Sequence, residues 1–281
     1  MKIFFCGGPI KSGTTFLQRV LDTHPEVSCQ SEHYFNGLLR ELLNTHVRYN
    51  NHLAETAAIM GIEPKLTQQY MFLEAFYKLI NEFLDIKSSK KISGINDNDF
   101  IINNGKALLE RFTKAKIIYI VRNPINTSLS TWDHQMRHYK KDGNPETLRK
   151  LEIDGKIDRG IFTIKRCSEW SILANNIIKN YSQFQDRVLL VKYEDLLKNK
   201  EQELIRIFSF LGASTKKLIL QNIIENSSLE KMKSSSSNPE FYSKIRSNPE
   251  KIELTEAVLK KAFDECKIPS KYFNYSIVNA L

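Results

Sequence analysis

The stretch that decides the fold lies at the amino end of the chain, where residues 2–15 read KIFFCGGPIKSGTT. Residues 2–6 are mostly apolar, which is typical of a short buried β-strand. The glycines and proline of residues 7–9 end that run, and residues 15–21 then carry apolar side chains at helical spacing. The stretch therefore predicts a strand, a glycine-rich loop and a helix in direct succession.

The loop itself predicts a phosphate site, because residues 8–15 have the glycine spacing of a P-loop between a strand and a helix. A Walker loop places its lysine directly after the second glycine, where it neutralises β- and γ-phosphates beside Mg²⁺. Here Thr14 follows Gly13, and the lysine is Lys11. A lysine on the loop suits the bridging oxygen of a shorter phosphoanhydride, so the loop favours a 5′-phosphate carrying a transferable group over ATP. The alternative is a plain glycine-rich turn capped by Ser12 or Thr14.

The rest of the chain alternates between strand and helix patterns. Further strands are predicted at residues 26–29, 91–95, 116–121 and 187–191, and helices within 35–84, at 105–112, from about 126, at 170–181 and at 196–211. The alternation predicts an α/β fold with a parallel sheet whose ligands bind at the carboxyl ends of its strands. Residues 139–159 have weak periodicity and predict a loop over the site. The length of 281 residues and 41% hydrophobic content predict one domain, residues 1–281.

Charge and cysteine usage limit the class of protein. Lys and Arg outnumber Asp and Glu by 41 to 32, so the surface attracts anions. Cys6, Cys29, Cys167 and Cys266 are scattered, which favours buried thiols in a reducing compartment over disulfides or a zinc site. No apolar run reaches the length of a signal peptide or a membrane span. We therefore expect a cytoplasmic protein with no membrane partner.

A second phosphate site is predicted after the strand KIIYIV at residues 116–121. That strand delivers Arg122 to its carboxyl end, and Ser130, eight residues later on the following helix, presents a hydroxyl toward the same point. An arginine and a hydroxyl together form a compact site for a dianion. The alternative is a surface arginine paired with a carboxylate.

These two motifs, PKSGTT and YIVRNP followed by Ser130, resemble the sulfotransferase family that uses 3′-phosphoadenosine 5′-phosphosulfate (PAPS). The resemblance covers nearly the whole chain and implies a P-loop NTPase-like three-layer sandwich, in which helices flank a central parallel β-sheet. It implies that Arg122 and Ser130 hold the 3′-phosphate of the nucleotide. It also implies that the loop contacts the 5′-phosphosulfate through Lys11, Ser12, Gly13, Thr14 and Thr15.

Three weaker matches follow in the family's order. Residues 191–196 (VKYEDL) resemble the segment that places Tyr193 near the adenine and whose acids brace the fold, and residues 228–232 (SLEKM) resemble the segment that places Met232 beside the base. Residues 241–246 (FYSKIR) resemble the basic loop that closes over the 3′-phosphate. Lys244, Arg246 and Ser247 offer similar charge there but lack the glycines of the family's R-K-G-x-x-G pattern.

Sulfuryl transfer requires a base that removes the acceptor proton. Family members acting on small molecules carry a histidine in a K-T/S-H segment after a middle strand, whereas residues 93–98 here read SGINDN. Other branches, including those acting on carbohydrate chains, place a glutamate after the second strand, and residues 31–35 (SEHYF) resemble that arrangement. Glu32 is therefore the predicted base, with His33 and Asp97 as alternatives and an N-terminal helix charge as the non-catalytic role of Glu32. Lys11 is predicted to stabilise the leaving phosphate.

The resemblance implies an enzyme that moves a sulfuryl group from PAPS to a hydroxyl or amine and releases adenosine 3′,5′-bisphosphate (PAP) without a metal. The acceptor, a small molecule or a carbohydrate, is not identified. A basic cluster follows the second phosphate motif and comprises His134, Arg137, His138, Lys140 and Lys141. The cluster either recognises an acidic acceptor or is a charged face exposed to solvent. The rival functions are a P-loop kinase and a non-catalytic nucleotide-binding module. A nucleic-acid partner is not predicted, because no recognised motif accompanies the charge.

Overall fold

A five-stranded parallel sheet forms the centre of the computed structural model, which describes residues 2–31, 33–85, 90–234 and 254–277. The strands are β1 (Lys2–Gly7), β2 (Val27–Gln30), β3 (Ile92–Asn96), β4 (Lys116–Val121) and β5 (Val188–Lys192). Their order is β2-β3-β1-β4-β5, and every neighbouring pair is parallel. All five carboxyl ends therefore lie at one edge, where β1 and β4 are direct neighbours.

Thirteen helices lie in the described part of the chain. In the first half they are α1 (Thr14–Thr23), α2 (Phe35–Met60), α3 (Gln69–Asp85), α4 (Asn98–Arg111), α5 (Pro124–Asp142) and α6 (Pro145–Arg149). In the second half they are α7 (Arg159–Gln183), α8 (Tyr193–Lys198), α9 (Lys200–Leu211), α10 (Lys217–Asn226), α11 (Leu229–Ser234), α12 (Glu256–Glu265) and α13 (Lys267–Tyr272).

The sheet buries both of its faces. Alternate side chains of β4 divide between two cores: Ile117, Tyr119 and Val121 pack on the side of α3, α4, α7 and α12, whereas Ile118 and Ile120 pack on the side of α1, α9 and α10. This division follows from the two-residue period of a strand. The prediction of a three-layer α/β sandwich with a central parallel sheet is confirmed.

Two expectations about the helices are corrected by the structure. Residues 139–159 are expected to form a loop, which holds for residues 150–158, but α5 continues to Asp142 and ends at Gly143, whose φ of 63° suits a glycine. Asn144 then caps α6 by accepting a hydrogen bond from the N–H of Glu146. The helix expected over residues 196–211 is two helices, since the chain leaves helical geometry at Asn199.

The four cysteines are free and buried, as the sequence predicted. The sulfur atoms of Cys6 and Cys29 lie 3.6 Å apart within the core. Of the helices that the structure describes, none combines the length and the apolar character needed to cross a membrane.

Candidate functional site

The glycine loop between β1 and α1 has a shape that only glycine permits at two positions. A Cβ at Gly8 would lie 2.1 Å from the carbonyl oxygen of Ile120 on β4. Gly13 has φ +96°, and a Cβ there would lie 2.4 Å from Cδ2 of Tyr193. Lys11 also adopts a positive φ, of 66°. The loop is thus pressed between β4 and Tyr193 and has little freedom to change shape.

Ser12 stabilises the loop from inside. Its backbone N–H donates to the carbonyl of Pro9 at 3.0 Å, and its buried hydroxyl contacts the carbonyls of Pro9 and Ile120, the latter at 3.2 Å. These bonds give Ser12 a structural role, and its contact with a nucleotide stays a prediction.

The amino end of α1 begins at the loop. Gly13 is the N-cap residue and α1 has no side-chain cap, so a turn capped by Ser12 or Thr14 is not what the chain forms. The first-turn N–H groups, including those of Thr14 and Thr15, precede any intrahelical acceptor. Such a terminus suits a phosphate.

Arg122 brings the second predicted phosphate site to the first. Its Nη1 donates to the carbonyl oxygen of Lys11 at 3.2 Å, and its guanidinium lies 4.7 Å from the centre of the Tyr193 ring. Tyr193 in turn covers Gly13. Burial raises the pKa of Tyr193, and the charge of Arg122 opposes that shift. The structure therefore gathers four of the predicted site residues, Lys11, Gly13, Arg122 and Tyr193, at one point of the sheet edge.

Glu194 fixes the start of α5, which follows Arg122. One oxygen of its carboxylate accepts the backbone N–H of Asn123 at 2.9 Å, and the other accepts the hydroxyl of Tyr275, also at 2.9 Å. The side chain of Asn123 caps α5 by accepting from the N–H groups of Ile125 and Asn126. Glu194 thus ties β4 to the C-terminal segment, which agrees with the bracing role that the resemblance implies.

Helix α5 carries Ser130 and, one turn later, His134. Ser130 is half-buried. The pKa of His134 is lowered to about 4, first by burial and then by the positive charge of Lys11, His138, Arg137 and Lys150. The rings of His134 and His138 lie 4.4 Å apart. The charge of Lys11 therefore reaches His134, whereas the other four residues of the basic cluster are exposed.

Glu32, the predicted base, lies outside the described residues, so its role stays a prediction. His33, an alternative base, forms a hydrogen bond of 3.0 Å between its Nε2 and Oε1 of Gln30. The centre of its ring lies 4.6 Å from that of the Phe83 ring. Burial lowers the pKa of His33, and the charge of Asp97 opposes that shift.

The other alternative, Asp97, is buried at the start of α4. Its Oδ2 accepts the backbone N–H of Phe35 at 3.0 Å. Burial raises the pKa of Asp97, while backbone hydrogen bonds from Phe35 and His33 oppose the shift. The carboxylate thus anchors the turn that leads into α2, a sufficient structural reason for an acid at this position.

The C-terminal residues with predicted nucleotide contacts lie at the margin of the described part of the chain or outside it. Met232 lies on α11, and its side chain is not described. Lys244, Arg246 and Ser247 lie outside the described residues. Their contacts with a nucleotide stay predictions.

A cleft of about 270 Å³ adjoins the loop and contains residues that the sequence analysis missed. It is lined by Pro9, Ile10, Asp99, Arg166, Glu169, Trp170, Ile172 and Leu173. Asp99 follows the carboxyl end of β3, where site residues are expected in a parallel sheet, so its position was a usable signal. Trp170 lies inside α7, and its place in the sequence indicates only a residue of the hydrophobic core.

The part of the chain that the structure describes contains no group of three or more His, Cys, Asp or Glu side chains arranged to hold a metal ion.

Comparison with known proteins finds a family model that matches most of the chain. A model described as the sulfotransferase family matches residues 3–217. Sulfotransferase 1C2 of Homo sapiens is 27% identical over 123 residues, 42% of this chain and 38% of that protein. Protein-tyrosine sulfotransferase of Drosophila melanogaster is 22% identical over 224 residues, 79% of this chain and 40% of that protein. The chain thus spans about two fifths of the length of these relatives.

A solved structure shares the fold. The crystal structure of mouse sulfotransferase SULT7A1 complexed with PAP has a TM-score of 0.57 with 17% identity, covering 98% of this chain and 89% of that one.

Proposed function

The chain belongs to the sulfotransferase family, and from that premise we propose that it is an enzyme that transfers a sulfuryl group from PAPS to a hydroxyl or amine. The acceptor loses a proton as its oxygen or nitrogen bonds to sulfur, and the bond between sulfur and the 5′-phosphate oxygen breaks. When bound, PAPS supplies the sulfuryl group and leaves as PAP.

The observation that carries the proposal is the 3.2 Å hydrogen bond from Arg122 to the Lys11 carbonyl. It joins the two predicted phosphate-binding motifs, which follow the neighbouring strands β1 and β4. A nucleotide with a phosphate at each end of its ribose needs two such sites close together, whereas the phosphates of ATP form one chain. Glycine at positions 8 and 13 also fits a phosphate-binding loop. A Cβ at Gly8 would clash with Ile120, and a Cβ at Gly13 would clash with Tyr193.

Each predicted residue has a role in this proposal. Lys11 stabilises the negative charge that develops on the leaving phosphate, and the first-turn N–H groups at Thr14 and Thr15 bind the 5′-phosphosulfate. Arg122 and Ser130 bind the 3′-phosphate, and Glu32 accepts the acceptor proton. Ser12 and Gly13 shape the loop. The nucleotide contacts of Tyr193, Met232, Lys244, Arg246 and Ser247, and the absence of a metal requirement, belong to the proposal on the resemblance alone.

The acceptor is a small molecule or a carbohydrate in this proposal. A relative named for protein-tyrosine sulfation adds a phenolic hydroxyl to the acceptor chemistries worth screening. A cytoplasmic location and the lack of a membrane or nucleic-acid partner stay predictions.

Thermal unfolding with nucleotides tests the donor. We expect PAP to raise the melting temperature selectively over ATP·Mg²⁺, since a ligand at a hundred times its Kd stabilises the folded state by about 2.7 kcal/mol. Equal or reversed stabilisation would contradict the PAPS assignment and favour a kinase.

Turnover of labelled PAPS tests the base. Glu32→Gln should keep the PAP-induced stabilisation and lose transfer, whereas Glu41→Gln, at a carboxylate on the exposed face of α2, should keep both. Full transfer by Glu32→Gln would remove Glu32 from the mechanism.

A further inference from the structure

A carboxylate lies beside the arginine of the second phosphate motif without pairing with it. The guanidinium of Arg122 lies 4.7 Å from the centre of the Tyr193 ring, and Glu194 is the next residue along the chain. Burial raises the pKa of Tyr193, the charge of Arg122 opposes that shift, and the charge of Glu194 adds to it. Among the ion pairs between described residues, none joins Arg122 to Glu194. If the carboxylate turned towards the guanidinium, it would compete with a phosphate for the same donors.

Two uncharged donors occupy the carboxylate of Glu194. Its Oε1 accepts the backbone N–H of Asn123 at 2.9 Å, and its Oε2 accepts the hydroxyl of Tyr275 at 2.9 Å. Asn123 directly follows Arg122 and is only 1% exposed. A hydrogen bond to a charged group is short and directional, so one donor on each oxygen fixes the orientation of the carboxylate.

The side chain of Tyr275 is itself held in place. Its ring packs edge-on against that of Trp170, with 6.3 Å between the ring centres, and Nζ of Lys192 lies 4.8 Å from the centre of the ring. Its backbone N–H donates to the carbonyl of Ser270 at 2.8 Å. Burial, and after it the charge of Glu194, raises the pKa of Tyr275, so the hydroxyl stays protonated and remains a donor.

The C-terminal segment reaches the junction between β4 and α5 at a second point. Nδ2 of Asn123 lies 3.4 Å from the carbonyl oxygen of Ser276, to which it donates. Oδ1 of the same side chain caps α5, the helix that carries Ser130. Residues 275 and 276 therefore contact Asn123 through Glu194 on its backbone side and directly on its side chain.

We propose that Tyr275 is a positioning residue for the nucleotide, which acts by holding the carboxylate of Glu194 away from Arg122 so that the guanidinium stays available to the 3′-phosphate. This inference rests on the proposed function, since it assigns a residue to the 3′-phosphate site of that enzyme. The competing role for Tyr275 is packing alone, in which the ring fills the core and the hydroxyl does nothing for the nucleotide.

Tyr275→Phe separates the two roles, because phenylalanine keeps the ring and removes only the hydroxyl. PAP and 5′-AMP, which differ in the 3′-phosphate, are titrated by calorimetry into the parent protein and the variant. PAP affinity should fall about tenfold, as the loss of one hydrogen bond to a charged group implies, while 5′-AMP affinity is unchanged. Both ligands bind the folded chain, so a loss of stability alone lowers the two affinities by the same factor and leaves their ratio unchanged.

Two further variants provide the controls. Tyr272→Phe removes the same group from a tyrosine that is 46% exposed on α13, and it should keep the preference for PAP. Glu194→Gln retains an oxygen that can accept the N–H of Asn123 but has no charge to compete for Arg122. Adding Tyr275→Phe to Glu194→Gln should therefore leave the ratio of the two affinities nearly unchanged, which a double-mutant cycle measures.

The opposite results overturn the inference. An unchanged preference for PAP in Tyr275→Phe, or an equal loss in Tyr272→Phe, would leave Tyr275 with packing alone. An equally large loss when Tyr275→Phe is added to Glu194→Gln would show that Tyr275 does not act through that carboxylate. If the parent protein itself binds PAP no more tightly than 5′-AMP, the proposed function fails instead.

Discussion

Replacing Gly13 by alanine tests whether the loop is held in shape by its contact with Tyr193. The left-handed backbone at φ +96° costs a non-glycine residue about 1–2 kcal/mol. The new Cβ would lie 2.4 Å from the Tyr193 ring, and forcing such overlap on packed side chains costs about 1–3 kcal/mol more. Gly13→Ala should therefore lower the free energy of unfolding by about 2–5 kcal/mol.

Gly143→Ala is the matched control, because Gly143 has φ +63° and nothing within 4 Å of an added Cβ. It should cost only the backbone strain, about 1–2 kcal/mol. Guanidinium unfolding at equilibrium measures both variants, and calorimetric titration with PAP measures whether displacing Tyr193 and Arg122 weakens nucleotide binding in Gly13→Ala alone. If the two variants lose the same stability and the same PAP affinity, the reasoning about the loop is refuted.

Two further changes test the neighbouring contacts. Ser12→Ala removes a buried hydroxyl that contacts two carbonyls, so unfolding should become easier by about 1–3 kcal/mol in a denaturant titration; an unchanged midpoint contradicts the structural role of Ser12. The pKa of His134 lies near 4 in the folded state and at its usual value when unfolded, so the unfolded chain binds more protons between those values and stability falls as pH falls. His134→Asn should reduce the loss between pH 7 and pH 5 by about 1 kcal/mol after allowing for solvent screening, and an identical pH profile contradicts the shift.

Much of the sheet was predictable because each strand has a local signature. Residues 116–121 are a dense β-branched run buried on both faces, and the predicted strand matches β4 at both ends. The segment after Tyr139 was not predictable in the same way. Helices α5 and α6 expose most of their charged residues there, so apolar spacing is weak, and the decisive signals were Gly143 and the Asn144–Pro145 pair.

The donor side of the site was predictable from strand ends. Lys11 and Arg122 each follow a strand, and a parallel sheet brings carboxyl ends to one edge. The sequence does not reveal that β1 and β4 are neighbours in the sheet. Because they are neighbours, Arg122 can donate a hydrogen bond to the carbonyl of Lys11. The convergence of Asp99 and Trp170 on one cleft was beyond the sequence, because they lie on different helices that meet only through tertiary packing.

The proposed donor is tested most directly by calorimetric titration of PAP and 5′-AMP into the parent protein and Arg122→Gln. If Arg122 binds the 3′-phosphate, the parent protein should prefer PAP over 5′-AMP by about 10- to 150-fold, which corresponds to one charged hydrogen-bonded contact of about 1.5–3 kcal/mol. Arg122→Gln should lose most of that preference, the remainder being the contact of Ser130 with the 3′-phosphate. Equal binding of PAP and 5′-AMP by the parent protein, or tighter binding of ATP·Mg²⁺ than of PAP, would contradict a PAPS-dependent enzyme.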